Sequence, residues 1–272
     1  MSKTVFITGA STGFGKLSAK KFQREGWNVV ATMRSPQKEN ELNQLDNILV
    51  TELDVTKPET ITNAVNEAIE KFGTIDVLVN NAGYGAAGPM EAGTDAQIRY
   101  QMEVNFFGLI NVTKGILPVM RAKKSGTIIN ISSMGGRITF PYLSLYHATK
   151  FAVEGLTESM QYELDPLGIN LKIVEPGAFN TDFSTRSLQL FDTSNLEDYQ
   201  EHLQKFLKVM EATAGSSGDP QEVAETIYAA ATDSSDRLRY LVGEDAIQIL
   251  GARGQMDDAS FKKMMLENLG LS

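Results

Sequence analysis

Tyr146 and Lys150 form the pair of residues in this sequence best suited to acid–base chemistry. Residues at positions i and i+4 share one face of a helix, so a helix starting near Tyr146 brings the phenol and the ammonium into one site. A free phenol has a pKa of about 10, and a nearby cation favours the phenolate. Lys150 is therefore expected to lower the pKa of Tyr146 and make it a usable general acid or base. Taken alone, the pair has an alternative interpretation, an exposed ring beside a solvated lysine.

Two hydroxyl side chains, Ser132 and Ser133, follow a strand predicted over residues 126–131 and precede Tyr146. A hydroxyl at the carboxyl end of a parallel strand faces the cleft in which α/β folds bind ligands. Successive residues of a strand point to opposite sides, so one of the two serines is expected to enter the site.

A glycine-rich turn joins the first predicted strand to a helix. Its N–H groups and the positive end of the helix dipole favour a phosphate, and glycines let the backbone approach a pyrophosphate closely. The spacing is G-x-x-x-G-x-G rather than the commoner G-x-G-x-x-G. A tight connection without a ligand is the alternative. The residues predicted to bind a dinucleotide here are Gly9, Ser11, Thr12, Gly13, Phe14 and Gly15.

The second predicted strand ends in Met33-Arg34-Ser35 and has no carboxylate at its tip. NAD-binding folds place an acidic residue there for the adenosine ribose, whereas an arginine suits a 2′-phosphate. Arg34 therefore predicts NADP(H) in preference to NAD(H), unless it is an ordinary surface cation. Ser11 and Lys16 are further candidates for contacts with the cofactor.

Strand and helix patterns alternate along the chain. Nearly continuous apolar runs predict buried parallel strands, at 4–8, 28–33, 48–53, 75–80, 126–131, 170–174 and 239–242. Helical patterns between them include 16–25, 60–72, 95–121 and 146–165. This order predicts one α/β domain over residues 1–272, a doubly wound (Rossmann) parallel sheet of about seven strands with helices on both faces. The stretch 183–218 interrupts the alternation and predicts a helical flap over the substrate.

Composition argues against several classes of site and partner. The 272 residues contain no cysteine and two histidines, so disulfides, thiol nucleophiles and metal sites are not expected. The formal net charge of −9 argues against nucleic acid or an anionic membrane as a partner. Polar residues interrupt the most apolar long stretch, 106–120, and the first residues do not read as a secretory signal, so a cytoplasmic protein is expected.

The motifs, in their order along the chain, resemble those of the short-chain dehydrogenase/reductase family, in its compact single-domain subgroup. The resemblance covers nearly the whole chain and rests on Thr8-Gly9-x-x-x-Gly13-x-Gly15, Asp54, Asn80-Asn81-Ala82-Gly83, Asn105, Ser133, Tyr146-x-x-x-Lys150, and Pro176-Gly177 followed by Thr181. It implies an oxidoreductase that transfers a hydride between NADP(H) and a carbonyl or alcohol substrate.

The resemblance implies a catalytic set of Asn105, Ser133, Tyr146 and Lys150. Ser133, rather than Ser132, matches the family serine and would orient and polarise the substrate carbonyl. Tyr146 would donate the proton, and Lys150 would bind the nicotinamide ribose and lower the pKa of Tyr146. Asn105 would hold a water that links Lys150 to a proton relay, although it is also interpretable as a polar residue that bends a helix.

The same resemblance assigns cofactor contacts outside the glycine turn: Asp54 and Val55 at the adenine ring, Asn81, Ala82 and Gly83 near the adenosine, Tyr146 and Lys150 at the nicotinamide riboside, and Pro176, Gly177 and Thr181 at the carboxamide. Many NADP-preferring relatives carry a basic residue inside the glycine turn, where this chain has Thr12. Arg34 therefore remains the main determinant of cofactor preference.

Apolar and aromatic residues are expected around the substrate, and such pockets favour apolar ligands. We therefore expect a lipophilic carbonyl, such as an aromatic or steroid-like ketone, unless these side chains only pack the flap. Besides the Ser133 and Tyr146 hydroxyls, the residues are Met134, Phe140, Pro141, Tyr142, Leu143, Phe179 and Phe183, with Tyr84 as a further candidate. His147 faces away from Lys150 on the predicted helix and is interpreted as a packing or interface residue.

Two other functions stay open. A catalytically silent NADP(H)-binding sensor or scaffold would keep the fold but need not retain an acid and its activator. Epimerisation and dehydration also occur on this scaffold, in relatives that are usually longer and carry an added substrate domain. Relatives commonly form homodimers or homotetramers through helices equivalent to 95–121 and 146–165.

Overall fold

The computed structural model describes residues 2–181, 187–215 and 218–271. Its strands are β1 (Thr4–Ile7), β2 (Asn28–Met33), β3 (Ile48–Glu52), β4 (Val77–Asn80), β5 (Gly85–Ala87), β6 (Gly126–Ile131), β7 (Ile169–Pro176), β8 (Leu188–Leu190) and β9 (Arg239–Val242). Seven of these strands form one parallel sheet in the order β3-β2-β1-β4-β6-β7-β9. They correspond to the seven strands predicted from the sequence, so the doubly wound α/β architecture is confirmed.

Helices cover both faces of this sheet. They are α1 (Gly13–Arg24), α2 (Pro58–Phe72), α3 (Asp95–Met102), α4 (Gly108–Lys123), α5 (Ser144–Leu164), α6 (Glu197–Gly215), α7 (Gln221–Thr232), α8 (Glu244–Arg253) and α9 (Asp258–Asn268). Side chains of α1 and α7 pack in the core on one face, and side chains of α2, α4 and α5 pack in the core on the other. None of the helices in the described ranges is long and apolar enough to cross a lipid bilayer.

Strand β1 shows why the strands are apolar almost throughout. Successive side chains of a strand point to opposite faces of the sheet. Val5 and Ile7 join the core with Phe22 of α1, whereas Phe6 joins the core with Ile61 of α2. A sheet covered on both faces buries both sets, and all three β1 side chains are fully buried.

The helix predicted over 95–121 is wrong as one continuous element. A π-helical turn, Glu103–Phe107, separates α3 from α4 and has Asn105 at its centre. The extra residue of a π turn is not visible in the spacing of apolar residues, because the pattern on either side stays helical. Side-chain hydrogen bonds of Asn105 accompany the turn and are described below.

A small second sheet was not predicted. Strand β5 pairs in parallel with β8, with Gly85 opposite Leu188 and Ala87 opposite Leu190. Its segments are three residues long, and β5 consists of glycine and alanine, which carry little strand propensity. Beyond β8, helix α6 forms much of the stretch predicted as a flap. Phe183, with the rest of 182–186, lies outside the described residues.

A third apolar core lies beyond the sheet. Helices α6, α8 and α9 contribute Phe206, Ala246 and Met265, which pack with Met134 and Leu143 from the segment between β6 and α5. These helices come from the last third of the chain. Their packing forms one side of the cavity described next.

Candidate active site

A cavity of about 940 Å³ opens beside the carboxyl ends of the central strands. Parallel α/β sheets bind ligands at this edge where the strand order reverses, here between β1 and β4. We call its part lined by residues 9, 11–14, 33–34, 53–55 and 81–83 the nucleotide half. The walls include these predicted cofactor residues: Gly9, Ser11, Thr12, Gly13, Phe14, Arg34, Asp54, Val55, Asn81, Ala82, Gly83, Tyr146, Pro176, Gly177 and Thr181.

The glycine turn has a backbone that other residues rarely adopt. Gly9 and Gly13 have φ angles of +67° and +52°, in the left-handed region. Asn81 Nδ2 donates to the carbonyl oxygens of Thr8 (2.9 Å) and Gly9 (3.1 Å). A Cβ on Gly15 would collide with the Gly9 carbonyl and lie 2.6 Å from Asn81 Nδ2. Gly15 is not in the cavity wall; its lack of a side chain leaves room for Asn81 to hold the turn.

The turn and the start of α1 suit a phosphate group. Helix α1 begins at Gly13, and its N-cap residue Thr12 makes no side-chain capping hydrogen bond. The first N–H groups of a helix and its dipole attract anions. Arg34 is exposed at the end of β2 and lines the same half of the cavity. These residues fit a dinucleotide, and Arg34 lies in the wall of the same half.

Lys16 and Asp54 have partners within the protein. Lys16 Nζ lies 3.1 Å from Glu39 Oε1 and 3.0 Å from Glu41 Oε2, and Lys16 is not in the cavity wall. The expected contact of Lys16 with the cofactor is therefore not supported by its position. Asp54 does line the cavity, and its Oδ1 accepts hydrogen bonds from the backbone N–H (3.0 Å) and hydroxyl (2.8 Å) of Thr56.

Ser133 and Tyr146 share a hydrogen bond in the cavity wall. Ser133 Oγ also accepts a hydrogen bond from the Gly135 N–H at 3.0 Å. Lys150 is buried behind them; its Nζ donates to the Ile131 carbonyl at 2.8 Å and lies 5.7 Å from the centre of the Tyr146 ring. Ser132 also lines the cavity, but its hydroxyl is buried against Gly136. Of the two serines, Ser133 is the one beside the phenol.

Burial dominates the electrostatics of this group. Burial raises the pKa of Tyr146 to about 12, and the hydrogen bond with Ser133 opposes that rise. Burial lowers the pKa of Lys150 to about 8, opposed by the carboxylate of Glu154. Burial thus disfavours the charged form of both side chains. Lys150 is not among the causes of the Tyr146 shift, so the expected lowering of the Tyr146 pKa by Lys150 stays a prediction.

Asn105 is buried and lies outside the cavity wall. Its Oδ1 accepts a hydrogen bond from the Tyr84 N–H at 3.0 Å. Its Nδ2 donates to the Tyr84 carbonyl at 2.8 Å and to Thr149 Oγ1 at 3.2 Å. The side chain thereby ties the segment after Gly83 to α5, one residue before Lys150. The expected link from Asn105 to Lys150 through a water stays a prediction.

The other part of the cavity is mainly apolar, with Ser187, Gln189, Thr213 and Asn268 as polar residues in the wall. We call it the apolar half and define it by Met134, Phe140, Leu143, Phe206, Val209, Met210, Ile249, Met265 and Leu269. Met134 and Phe140 were predicted substrate residues. Tyr142 was also predicted but is not in the wall; its backbone φ is +61°, and its ring packs 5.6 Å from that of Phe206. Phe179 lines the cavity next to the nucleotide half, with its ring edge-to-face against Phe14 at 5.9 Å.

Several wall residues were missed because their position depends on tertiary packing. Those of α6, α8 and α9 are apolar residues in amphipathic helices, which sequence alone assigns only to a core. Asp245 of α8 also lines the cavity; it accepts a hydrogen bond from the Ala178 N–H at 2.8 Å and lies against Gly177. It fastens the loop 176–181, and the acidic first turn of α8 gives no sign of that partner.

Known proteins share this sequence pattern. The sequence model of the family described as short chain dehydrogenase matches residues 3–190 of this chain. An uncharacterised oxidoreductase of Schizosaccharomyces pombe is 39% identical over 88% of this chain and 100% of its own length. A 3-ketodihydrosphingosine reductase of Bacteroides thetaiotaomicron is 36% identical over 92% of this chain and 91% of its own length.

Solved structures share the fold. A short-chain dehydrogenase from Streptomyces avermitilis superposes with a TM-score of 0.85 and 32% identity, covering 100% of both chains. ElxO with NADP bound superposes with a TM-score of 0.72 and 30% identity, over 89% of this chain and 98% of its own. The chain therefore belongs to the short-chain dehydrogenase family of oxidoreductases.

Proposed function

We propose that this protein is an NADP(H)-dependent carbonyl reductase, or an alcohol dehydrogenase in the reverse direction, that acts on a lipophilic ketone. The main supporting observation is the hydrogen-bonded pair Ser133 and Tyr146 in the wall of a cavity with a phosphate-binding turn and an apolar half. A proton donor between a nucleotide site and an apolar site suits reduction of a carbonyl group.

The nucleotide half supports a phosphorylated dinucleotide. Gly9 and Gly13 would bind the pyrophosphate through the backbone, and Arg34 would pair with a 2′-phosphate. Lys150 would bind the nicotinamide ribose. The reduced nicotinamide, when bound, supplies the hydride. ElxO, whose structure contains NADP, is a relative that supports this assignment.

Ser133 and Tyr146 act on the carbonyl oxygen. Negative charge develops there as the carbonyl carbon is reduced, and two hydroxyl donors stabilise that charge. The O–H bond of Tyr146 breaks, and the new O–H bond of the alcohol forms with the same proton. A phenol with a pKa of about 12 is fully protonated at neutral pH, which suits reduction. Oxidation needs the phenolate, so its rate is expected to rise with pH.

The substrate class follows from the apolar half. Its defining side chains are aliphatic, thioether or aromatic, and Phe206 and Met265 come from the helices α6 and α9 that enclose it. Such walls stabilise an apolar chain or ring system by burial. The relative named 3-ketodihydrosphingosine reductase reduces a keto group, in keeping with this class.

The test is a turnover assay with matched cofactors. The purified protein is incubated with NADPH or NADH and with acetophenone, 2-dodecanone or a 3-ketosteroid, and the absorbance of the reduced nicotinamide is followed. We expect turnover with at least one ketone and a higher kcat/KM with NADPH. If NADPH raises the Tm but no ketone is reduced, the protein is a cofactor sensor or scaffold instead.

We also propose a homodimer or homotetramer that forms through α4 and α5. Phe107, at the start of α4, and Phe151 and Tyr162 of α5 are exposed aromatic residues. Exposed large apolar residues favour association when they form a contiguous patch, which the proposal requires of these three. Light scattering of the eluted protein should give the mass of two or four chains, and a monomeric mass would contradict the proposal.

A further inference from the structure

His147 follows Tyr146 on α5 and lies buried in the cavity wall. We propose that His147 is a positioning residue: its neutral imidazole holds the segment that carries Ser133, and a second proton on the ring releases that segment. We call residues 133–140 the serine loop. This role rests on the proposed function for the meaning of Ser133, whereas the contacts that define it are testable without turnover.

Both ring nitrogens of His147 bond to the backbone of the serine loop. Nε2 lies 2.8 Å from the Phe140 nitrogen, and Nδ1 lies 2.8 Å from the Gly135 carbonyl oxygen. A backbone N–H can only donate and a carbonyl oxygen can only accept, so Nε2 is unprotonated and Nδ1 carries the proton. The two contacts therefore require one tautomer, the neutral Nδ1–H form.

Gly135 links the His147 imidazole to Ser133 through two hydrogen bonds. Its carbonyl accepts from His147, and its N–H donates to Ser133 Oγ at 3.0 Å. A Cβ on Gly135 would lie 2.8 Å from His147 Nδ1 and 3.3 Å from Ser133 Oγ, so the three groups are in close contact. The Ser133 hydroxyl that bonds to Tyr146 is thus fixed through Gly135 by the residue next to Tyr146.

The second contact fixes the apolar half. Phe140 ends the serine loop, lines the cavity and packs its ring 5.8 Å from the imidazole. Its N–H bonds to Nε2, so both ends of the loop are held by one ring. Loss of His147 is therefore expected to displace the serine hydroxyl and a substrate-binding side chain together.

A second proton reverses the Phe140 contact. It can bind only at Nε2, where an N–H would then face the Phe140 N–H, donor against donor. Burial lowers the pKa of His147, and the bond to the Gly135 carbonyl opposes that shift. The pH at which the loop is released therefore lies below the ordinary histidine range, and acidification should disorder the site before the fold is lost.

The charged and titratable groups on the surrounding elements have other partners. Among the described residues, no carboxylate is a cause of the His147 pKa shift, so no ion pair with these groups stabilises the imidazolium. These groups and their partners are Tyr146 with Ser133, Lys150 with the Ile131 carbonyl, Glu154 with Arg239, Arg137 with Glu175, Asp245 with the Ala178 N–H, Tyr84 with the Tyr100 ring and Tyr142 with the Phe206 ring.

Nuclear magnetic resonance tests the contacts directly. The chain has two histidines, and His202 is exposed on α6, so a His202→Gln variant leaves His147 as the single imidazole. A long-range ¹H–¹⁵N spectrum should show the Nδ1–H tautomer at neutral pH. The midpoint of its titration should lie below 6.5, and the amides of Gly135 and Phe140 should shift with it. An Nε2–H tautomer, or amides that do not follow the ring, would overturn the proposal.

Two substitutions separate positioning from packing. His147→Phe keeps the ring volume but removes both bonds, whereas His147→Asn keeps a donor where Nδ1 stands and does not titrate. With NADPH and 2-dodecanone, kcat/KM should fall at least about tenfold in His147→Phe, with an unchanged Kd for NADPH. It should fall less in His147→Asn, which can keep the Gly135 contact but loses the Phe140 contact. A His147→Phe variant with wild-type kcat/KM would contradict the role.

The pH profile gives the remaining test. In the wild type, kcat/KM should decrease with falling pH below the His147 midpoint, by about tenfold per pH unit. His147→Asn should lack this decrease, and an acid limb that persists in it would assign the titration to another group. If the wild type reduces neither 2-dodecanone nor the other ketones, the proposed function fails, while the tautomer and the amide titration still decide the role of His147.

Discussion

The two halves of the cavity are built in different ways. The nucleotide half follows directly after the ends of β1 to β4, and backbone hydrogen bonds such as Ala10 N–H to the Thr32 carbonyl (2.9 Å) join its turns. The apolar half is assembled from the segment between β6 and α5 and from α6, α8 and the end of the chain around α9, so it combines parts that are distant in the sequence. Directional bonds and steric limits at glycine define the first half, whereas the volumes of apolar side chains define the second.

Because of this difference, the two halves should tolerate amino-acid substitutions to different degrees. A fixed backbone presents the same N–H groups whatever the side chains are, so the nucleotide half suits one cofactor. An apolar wall accepts volume-conserving changes at small cost, so the apolar half can adapt to different substrates. Substitutions in the nucleotide half should therefore change cofactor affinity, and substitutions in the apolar half should change substrate KM. Each prediction below tests this separation.

Tyr146→Phe tests the proposed proton donor, which lies between the nucleotide half and the apolar half. The variant keeps the ring but has no proton to donate, so kcat for ketone reduction should fall about 10³-fold, as for loss of a general acid. The Kd for NADPH, followed by nicotinamide fluorescence, should not change, because the glycine turn and Arg34 are intact. Tyr228→Phe, on α7 away from the cavity, is the matched control. A Tyr146→Phe variant that turns over normally would remove Tyr146 as the proton donor.

Gly15→Ala tests the steric limits of the nucleotide half. The added Cβ would collide with the Gly9 carbonyl and with Asn81 Nδ2, both of which hold the turn. The Kd for NADPH should rise about 100-fold, corresponding to about 2.7 kcal/mol, and the Tm should fall. Gly251→Ala is the control, because no atom lies within 4 Å of the added Cβ in α8; helix propensity predicts an equal or higher Tm for it. A normal Kd in Gly15→Ala would show that the turn adapts as the apolar half does.

The same difference explains what the sequence could predict. Gly9, Gly13, Arg34 and Asn81 lie in turns next to strands, so local spacing is enough to place them in one cleft. The wall residues of α6 and α9, such as Met265, depend on how distant helices pack, which apolar periodicity does not specify.

Burial opposes the electrostatic effect that the sequence predicts for Tyr146 and Lys150. The spacing of Tyr146 and Lys150 correctly put both on one helix, but their pKa values are set by desolvation. Desolvation depends on the whole fold around them, and it opposes the effect of a neighbouring charge. The π turn at Asn105 was missed for a related reason, because its hydrogen-bond partner, Tyr84, is distant in sequence.

Arg34→Asp tests whether one exposed side chain sets cofactor preference. Loss of a charge-assisted pair and introduction of a like charge should raise the Kd for NADPH about 30-fold more than the Kd for NADH. Lys38→Asp is the control, since Lys38 is a nearby exposed cation outside the cavity wall. Equal effects on the two cofactors would indicate that Arg34 contributes only to the general electrostatic field.

Met265→Ala tests the apolar half. Truncation of this buried side chain in α9 enlarges the cavity and removes apolar contacts with the substrate. The KM for 2-dodecanone should therefore rise about tenfold, corresponding to about 1.4 kcal/mol of lost burial. KM for acetophenone should change less, and the Kd for NADPH should stay constant. Met264→Ala removes the adjacent methionine, which packs in the same core but does not line the cavity. A parallel rise in the Kd for NADPH would mean that the two halves are not separable.

The smallest effect is expected at Glu175, the residue of β7 that precedes the loop 176–181. Burial raises its pKa to about 7, the carboxylate of Glu154 adds to the rise, and Arg137 and Arg239 oppose it. The ordinary value is 4.5, so in this window the folded protein binds the proton more tightly than the unfolded chain. The stability that this proton contributes is complete below pH 4.5 and is lost as the pH rises to about 7.

Glu175→Gln removes this titration and keeps the shape of the side chain. Between about pH 5 and pH 8, the free energy of unfolding of the wild type should decrease by about 1 kcal/mol relative to the variant, as measured by urea denaturation at several pH values. Glu158→Gln, which removes an exposed carboxylate from the same Arg239, should keep the wild-type pH dependence. If Glu175→Gln also keeps it, Glu175 does not titrate in this window. The start of the loop 176–181 would then be stabilised by packing, as the apolar half is, and not by charge.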